Sequence, residues 1–182
     1  MSCKWKSLVL SACLAGVAAS GATASVMHPP LPEPIRETAP EMRPLGQGTL
    51  TWFGFAIYDS TLWVAGSRWS MEQAFALDIR YQRDIAGSRI VKSSVDEIRR
   101  IGGGDTERLA RWEREMARVF PDVKAGDRLV GVNVPGRGVR FYGNAGFLGE
   151  VADPEFARAF FGIWLSPATR EPALRSALLG GS

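Results

Sequence analysis

"DRLVGVNVPGRGVRFYGNAGFLGEV" (Asp127–Val151) runs straight into "ADPEFARAFFGIWLSP" (Ala152–Pro167), and this junction decides the fold. Val130, Val132 and Val134 alternate with other residues, "PGRG" turns the chain, Val139 and Phe141 alternate again, and "GNAG" makes a second turn. That is the pattern of a β-meander. Asp153-Pro154 then reads as a helix start, with Asp as N-cap and Pro at the first helical position. The helix it launches is aromatic over much of its surface, yet far shorter than the ~20 apolar residues a bilayer requires. Phe156, Phe160, Ile163 and Trp164 fall on one face and are expected to bury against a sheet. Phe161 and Leu165 lie to the side, where a cleft or a neighbouring helix must cover them. Pro167 ends it. A last helix carries Leu174, Ala177 and Leu178 on one face and stops at Gly180.

Upstream, "GTLTWFGFAIYDSTLWVAG" (Gly48–Gly66) is aromatic and β-branched, and reads as two strands with a turn at Asp59-Ser60. "QAFALDIRY" (Gln73–Tyr81) alternates cleanly, with Phe75, Leu77, Ile79 and Tyr81 on one side. Ser94 and Glu97 fit a capping box for a short helix that ends at Gly102–Gly104. Asp105 or Thr106 caps the next helix, whose Leu109, Trp112, Met116, Val119 and Phe120 recur at helical spacing before Pro121. Strands, helices, strands, helices: the order predicts an α+β domain, an antiparallel β-sheet packed against a layer of α-helices.

The ends of the chain read differently. Lys4 and Lys6, the apolar Ser7–Ala19 run and Ala22-Thr23-Ala24 have the layout of a secretory signal cleaved after Ala24. A lipoprotein cysteine at Cys13 is the alternative. Residues 1–24 are thus assigned to a signal peptide, 25–44 to a Pro-rich linker or disordered tail, and 45–182 to the folded domain. The expected location is periplasmic or secreted, with no integral membrane segment after cleavage. Both cysteines, Cys3 and Cys13, lie in the signal, and the single histidine, His28, lies in the tail, where six prolines fall between Met27 and Pro44. Removing Lys4 and Lys6 lowers the basic residues from 22 to 20, against 19 acidic ones. Such a near-neutral domain does not read as a nucleic-acid binder.

A domain without His or Cys excludes Ser-His and Cys-His catalysis and zinc held by nitrogen or sulfur. "GGGD" and "PGRG" lack the lysine of a phosphate loop. Asp122 and Asp127 lack calcium-loop spacing. No cofactor and no metal are expected. Candidate ligand-binding residues are therefore drawn from Tyr, Arg and Trp: Tyr58, Arg80, Tyr81, Trp112 and Trp164. Arg80 and Tyr81 are adjacent on a strand and point to opposite faces. A buried Tyr hydroxyl needs a partner, from the protein or from a ligand.

The segments "GTLTWFGFAIYDSTLW", "FALDIRYQRDI" and "SSVDEI", then "FFGIWLSP" with "LRSALLG", occur here in an order that resembles the bacterial exported chalcone isomerase-like family. The resemblance covers nearly the whole domain. It implies an antiparallel sheet, a helix layer and a hydrophobic cleft between them. Relatives include plant enzymes that close a flavanone ring and proteins that hold fatty acids. The tyrosine, arginine and threonine used by the plant isomerases have no counterpart: "SSVDEIRR" has no Tyr, Phe53 stands where the threonine falls, and no Arg lies between Leu45 and Gly66. The leading expectation is a non-catalytic binder of a small hydrophobic ligand, fatty-acid-like or aromatic. An intramolecular lyase or isomerase, and an envelope accessory protein that binds another protein, are the alternatives. The oligomeric state is left open.

Overall fold

Among the described residues six strands follow the alternation read from the sequence, and each pairs with its neighbours in chain order. The computed structural model describes residues 30–39 and 41–181; the stretch read as a signal, 1–24, and the first five residues of the tail lie outside them. In order come α1 (Glu33–Thr38), β1 (Arg43–Trp52), β2 (Phe55–Val64), β3 (Phe75–Tyr81), α2 (Gly87–Arg100), α3 (Thr106–Val119), β4 (Arg128–Val134), β5 (Gly138–Gly143), β6 (Gly146–Val151), α4 (Pro154–Leu165) and α5 (Pro172–Leu178). The sheet is β1-β2-β3-β4-β5-β6, antiparallel throughout.

One face of this sheet carries the main core. Phe75, Leu77, Ile79 and Tyr81 of β3 are all buried there with Leu62, Leu129, Phe141 and the inner faces of α2, α3 and α4. The α4 aromatics fill the middle. Phe156 stacks on Phe160 (ring centroids 5.4 Å apart), and Phe160 meets Phe141 edge-on at 5.3 Å. Phe161, expected to the side, is fully buried, its ring 4.6 Å from Phe75, and Leu165 is buried too. Ile163, expected inside, is only half-buried. The buried stripe of α4 is thus wider than a single row, because sheet and neighbouring helices close on it together. Each of these rings contributes about 1.5–3 kcal/mol on burial.

Two aspartates set the helix starts that the sequence marks. Asp105 accepts from the Arg108 backbone N–H at 2.8 Å. Asp153 caps α4 through the N–H groups of Glu155 and Phe156, and also receives the indole N–H of Trp112 at 2.9 Å and the Arg111 guanidinium at 2.8 Å. Burial pushes the Asp153 carboxyl up, but these hydrogen bonds outweigh it and hold the group below the usual carboxylate range.

Three local readings are corrected. The β1–β2 turn falls at Phe53-Gly54, not Asp59-Ser60. Phe53 (φ 49°) and Gly54 (φ 80°) both take the left-handed conformation of a two-residue hairpin turn. For a bulky aromatic, that conformation costs about 1–2 kcal/mol. Asp59 and Ser60 are strand residues, paired with Thr49 and Gly48, so Tyr58 sits within β2 rather than ending a first strand. Second, Ser94 does not cap a helix. It lies in the middle of α2 and its hydroxyl donates to the Ile90 carbonyl at 2.9 Å. The α2 start is held from afar, the Gly87 N–H donating to Asp122 Oδ1. Third, within the segment read as a Pro-rich linker or disordered tail, residues Glu33–Thr38 form α1. Leu31 and Ile35, four apart, are buried on the outer face of the sheet with Trp63, Ala76, Val130 and Tyr142. Arg128 reaches the Pro30 carbonyl at 3.0 Å and pairs with Asp78 behind it. β1 begins at Arg43, two residues before the expected domain start.

At the β1 edge, α5 lies directly on the strand. A methyl group on Gly46 would stand 2.1 Å from the Ala177 carbonyl oxygen, so only glycine admits this approach.

Candidate functional site

Register brings Tyr58 and Tyr81 together. They are directly opposite across β2 and β3, and Leu50 of β1 is opposite Tyr58 on its other side. Both tyrosines share the helix-facing side of the sheet, their rings 6.1 Å apart and edge to face. From α4, the indole Nε1 of Trp164 donates to Tyr58 Oη at 2.8 Å. Three of the five residues read from the sequence are thus assembled in one place.

The other two stand elsewhere. Arg80, next to Tyr81 in the strand, is exposed on the outer face, opposite Asp59 and Arg128. A converging Tyr81/Arg80 pair is therefore not formed. Trp112 is buried at the α3–α4 junction, its ring 5.8 Å from Phe156 and its N–H on Asp153. It locks two helices together.

The proton positions at the pair follow from valence. An indole N–H only donates, so Tyr58 Oη accepts, and its own proton is left to point elsewhere. Among the described residues no acceptor takes it, and Tyr81 Oη has no hydrogen-bond partner there either. Desolvation pushes both phenols well above their ordinary value. The Trp164 hydrogen bond pulls Tyr58 back slightly and the Glu171 carboxylate pushes it up further, while Tyr58 itself adds to the rise at Tyr81. Both groups are therefore neutral donors at any physiological pH. Neither supplies the phenolate a general base would need. The arrangement can hold an acceptor oxygen such as a carbonyl, ester or carboxyl group, with Leu50 and the Trp164 ring as apolar surroundings.

Sequence reading missed a second feature on the same hairpin. Trp52, Phe53 and Phe55 surround the β1–β2 turn and are exposed. The available signal in "WFGF" is Gly54, a turn-favouring residue set among aromatics.

A six-stranded antiparallel meander roofed by helices defines an α+β protein of the sheet-and-helix-layer kind. The chain belongs to the chalcone isomerase-like family, whose model matches residues 45–180. An uncharacterized protein of Haemophilus influenzae is 32% identical over 141 residues, covering 76% of this chain and 68% of that one. Among solved structures, the Arabidopsis thaliana fatty-acid binding protein AtFAP1 superposes with a TM-score of 0.59, covering 77% of this chain and 87% of that chain at 12% identity. That likeness establishes the common fold.

Proposed function

We propose that this protein is a non-catalytic binder of a small hydrophobic ligand that carries one hydrogen-bond-accepting oxygen, fatty-acid-like or aromatic. The observation that carries this reading is the Tyr58–Tyr81 pair: two neutral phenols, side by side on the helix face, with hydroxyl protons that no described residue accepts. The Tyr81 hydroxyl is not sealed from water, so a ligand oxygen that takes water's place keeps a hydrogen bond there while the rest of the ligand buries its apolar surface. The fatty-acid binding of the structural neighbour supports the same class of ligand. The basic start, apolar run and A-x-A of residues 1–24 support a periplasmic or secreted setting, in which the protein would carry a water-insoluble molecule between membranes. Among the described residues no helix is long and apolar enough to cross a membrane.

Titration with a fluorescent fatty acid, and separately with an aromatic ketone, tests this reading. Saturable one-to-one binding of either probe is expected, weakened about 5- to 10-fold by Tyr81→Phe, the loss of one hydrogen bond. No saturable binding of either probe would overturn it.

A further inference from the structure

The apex of the β1–β2 hairpin is built against its own stability in water. Trp52 is 68% exposed, Phe53 85% and Phe55 65%. Trp52 and Phe55 are directly opposite one another where the strands meet, and the Trp52 and Phe53 rings lie 5.4 Å apart. At the first position of such a turn Asn or Asp is preferred, because a short polar side chain tolerates the left-handed backbone. Here the position holds the most exposed large apolar side chain among the described residues, in a backbone conformation unfavourable to it. Strain combined with apolar exposure marks a contact made outside the chain.

Charge indicates what that contact is. The Arg83 guanidinium stands 5.7 Å over the Phe55 ring and has no carboxylate partner among the described residues. The neighbouring acids are already engaged, Asp59 with Thr49 and Gln82, and Asp84 with the Ala125 N–H. The rings gather at a single two-residue turn, at the end of the β1–β2 hairpin. An indole and two phenyl rings beside an unpaired cation fit the headgroup–acyl boundary of a bilayer, where aromatic rings partition and arginine meets anionic phosphate.

We propose that the β1–β2 tip is a bilayer-docking element, with Trp52, Phe53 and Phe55 entering the interface of an anionic membrane and Arg83 on its phosphates. This inference stands on the hairpin and Arg83 and does not require the ligand reading. The two are adjacent, since Tyr58 lies three residues beyond Phe55, so a docked hairpin sets the phenol pair close to the membrane surface.

The test uses the full chain with phosphatidylcholine vesicles, with and without phosphatidylglycerol, some made with brominated lipid. Because the apolar Ser7–Ala19 stretch can itself tether the chain, the readouts are specific to the tip. Brominated lipid is expected to quench a tryptophan component that disappears in Trp52→Phe. Phe53→Asn, which suits the turn and keeps the fold, is expected to weaken binding about tenfold, and phosphatidylglycerol to strengthen it. Quenching unchanged in Trp52→Phe, binding unchanged in Phe53→Asn, or indifference to phosphatidylglycerol would overturn the proposal. So would a dimer in light scattering that Phe53→Asn turns into a monomer, since the tip would then join two copies.

Discussion

Trp164 and Tyr58, 106 positions apart in the chain, are joined by one hydrogen bond of 2.8 Å that ties the aromatic helix to the second strand. Each partner depends on the other. Tyr58→Phe leaves the indole N–H facing an apolar ring, and Trp164→Phe leaves the phenol without its donor. Either variant is expected to lose about 1–3 kcal/mol in urea unfolding, and the double variant less than the two losses added together. Strict additivity would show that the bond contributes nothing.

High pH should unfold the protein through the same residues. The folded-state phenols of Tyr58 and Tyr81 are raised above the unfolded value of ~10. Below that value both states hold the proton, and the contribution of the pair is fully present. Above it the unfolded chain loses protons that the native state keeps, so stability falls as pH rises. Tyrosinate absorbance is expected to show Tyr58 and Tyr81 ionising only together with unfolding. Reversible ionisation of both in the folded protein near pH ~10 would contradict the burial.

Asp153 joins three elements through one side chain. Asp153→Ala removes the α4 cap and the acceptor for Trp112 and Arg111 together, and is expected to destabilise the fold by roughly 2–4 kcal/mol by chemical denaturation. Its carboxyl is held low in the folded state. Its contribution is therefore present above the unfolded value of ~4 and is lost as pH falls below it, so the gap between wild type and variant should narrow in acid.

Gly46→Ala tests the seating of α5. The new methyl group would stand 2.1 Å from the Ala177 carbonyl. A loss of about 1–3 kcal/mol is expected, with faster hydrogen exchange confined to α5 and β1.

The meander and the helix after it were legible because their signals are local. Alternating valines, glycine turns and the Asp153-Pro154 start act within a few residues. The readings that failed lacked local control. Asp59-Ser60 has turn chemistry, yet Asp59 is held in the strand by Thr49 and Gln82, and the turn falls at Phe53-Gly54, where Gly54 is the only turn-favouring residue. The Ser94 capping pattern is a coincidence of spacing inside a helix whose own start is held by Asp122, 35 residues away. Leu31 and Ile35 are hidden among prolines, and only the outer face of the sheet gives them a place to bury. Of the site, the residue types could be named from the sequence. That Tyr58, Tyr81 and Trp164 converge while Arg80 and Trp112 do not depends on strand register, which is set by the whole sheet.

Native mass spectrometry of the protein purified from its producing cells, beside the Tyr58→Phe/Tyr81→Phe double variant, tests the central claim most directly. The wild type is expected to carry a stoichiometric hydrophobic adduct of a few hundred daltons, and the folded double variant to have lost most of it. A bare wild-type mass under gentle conditions, or an adduct retained in full by the double variant, would contradict the account.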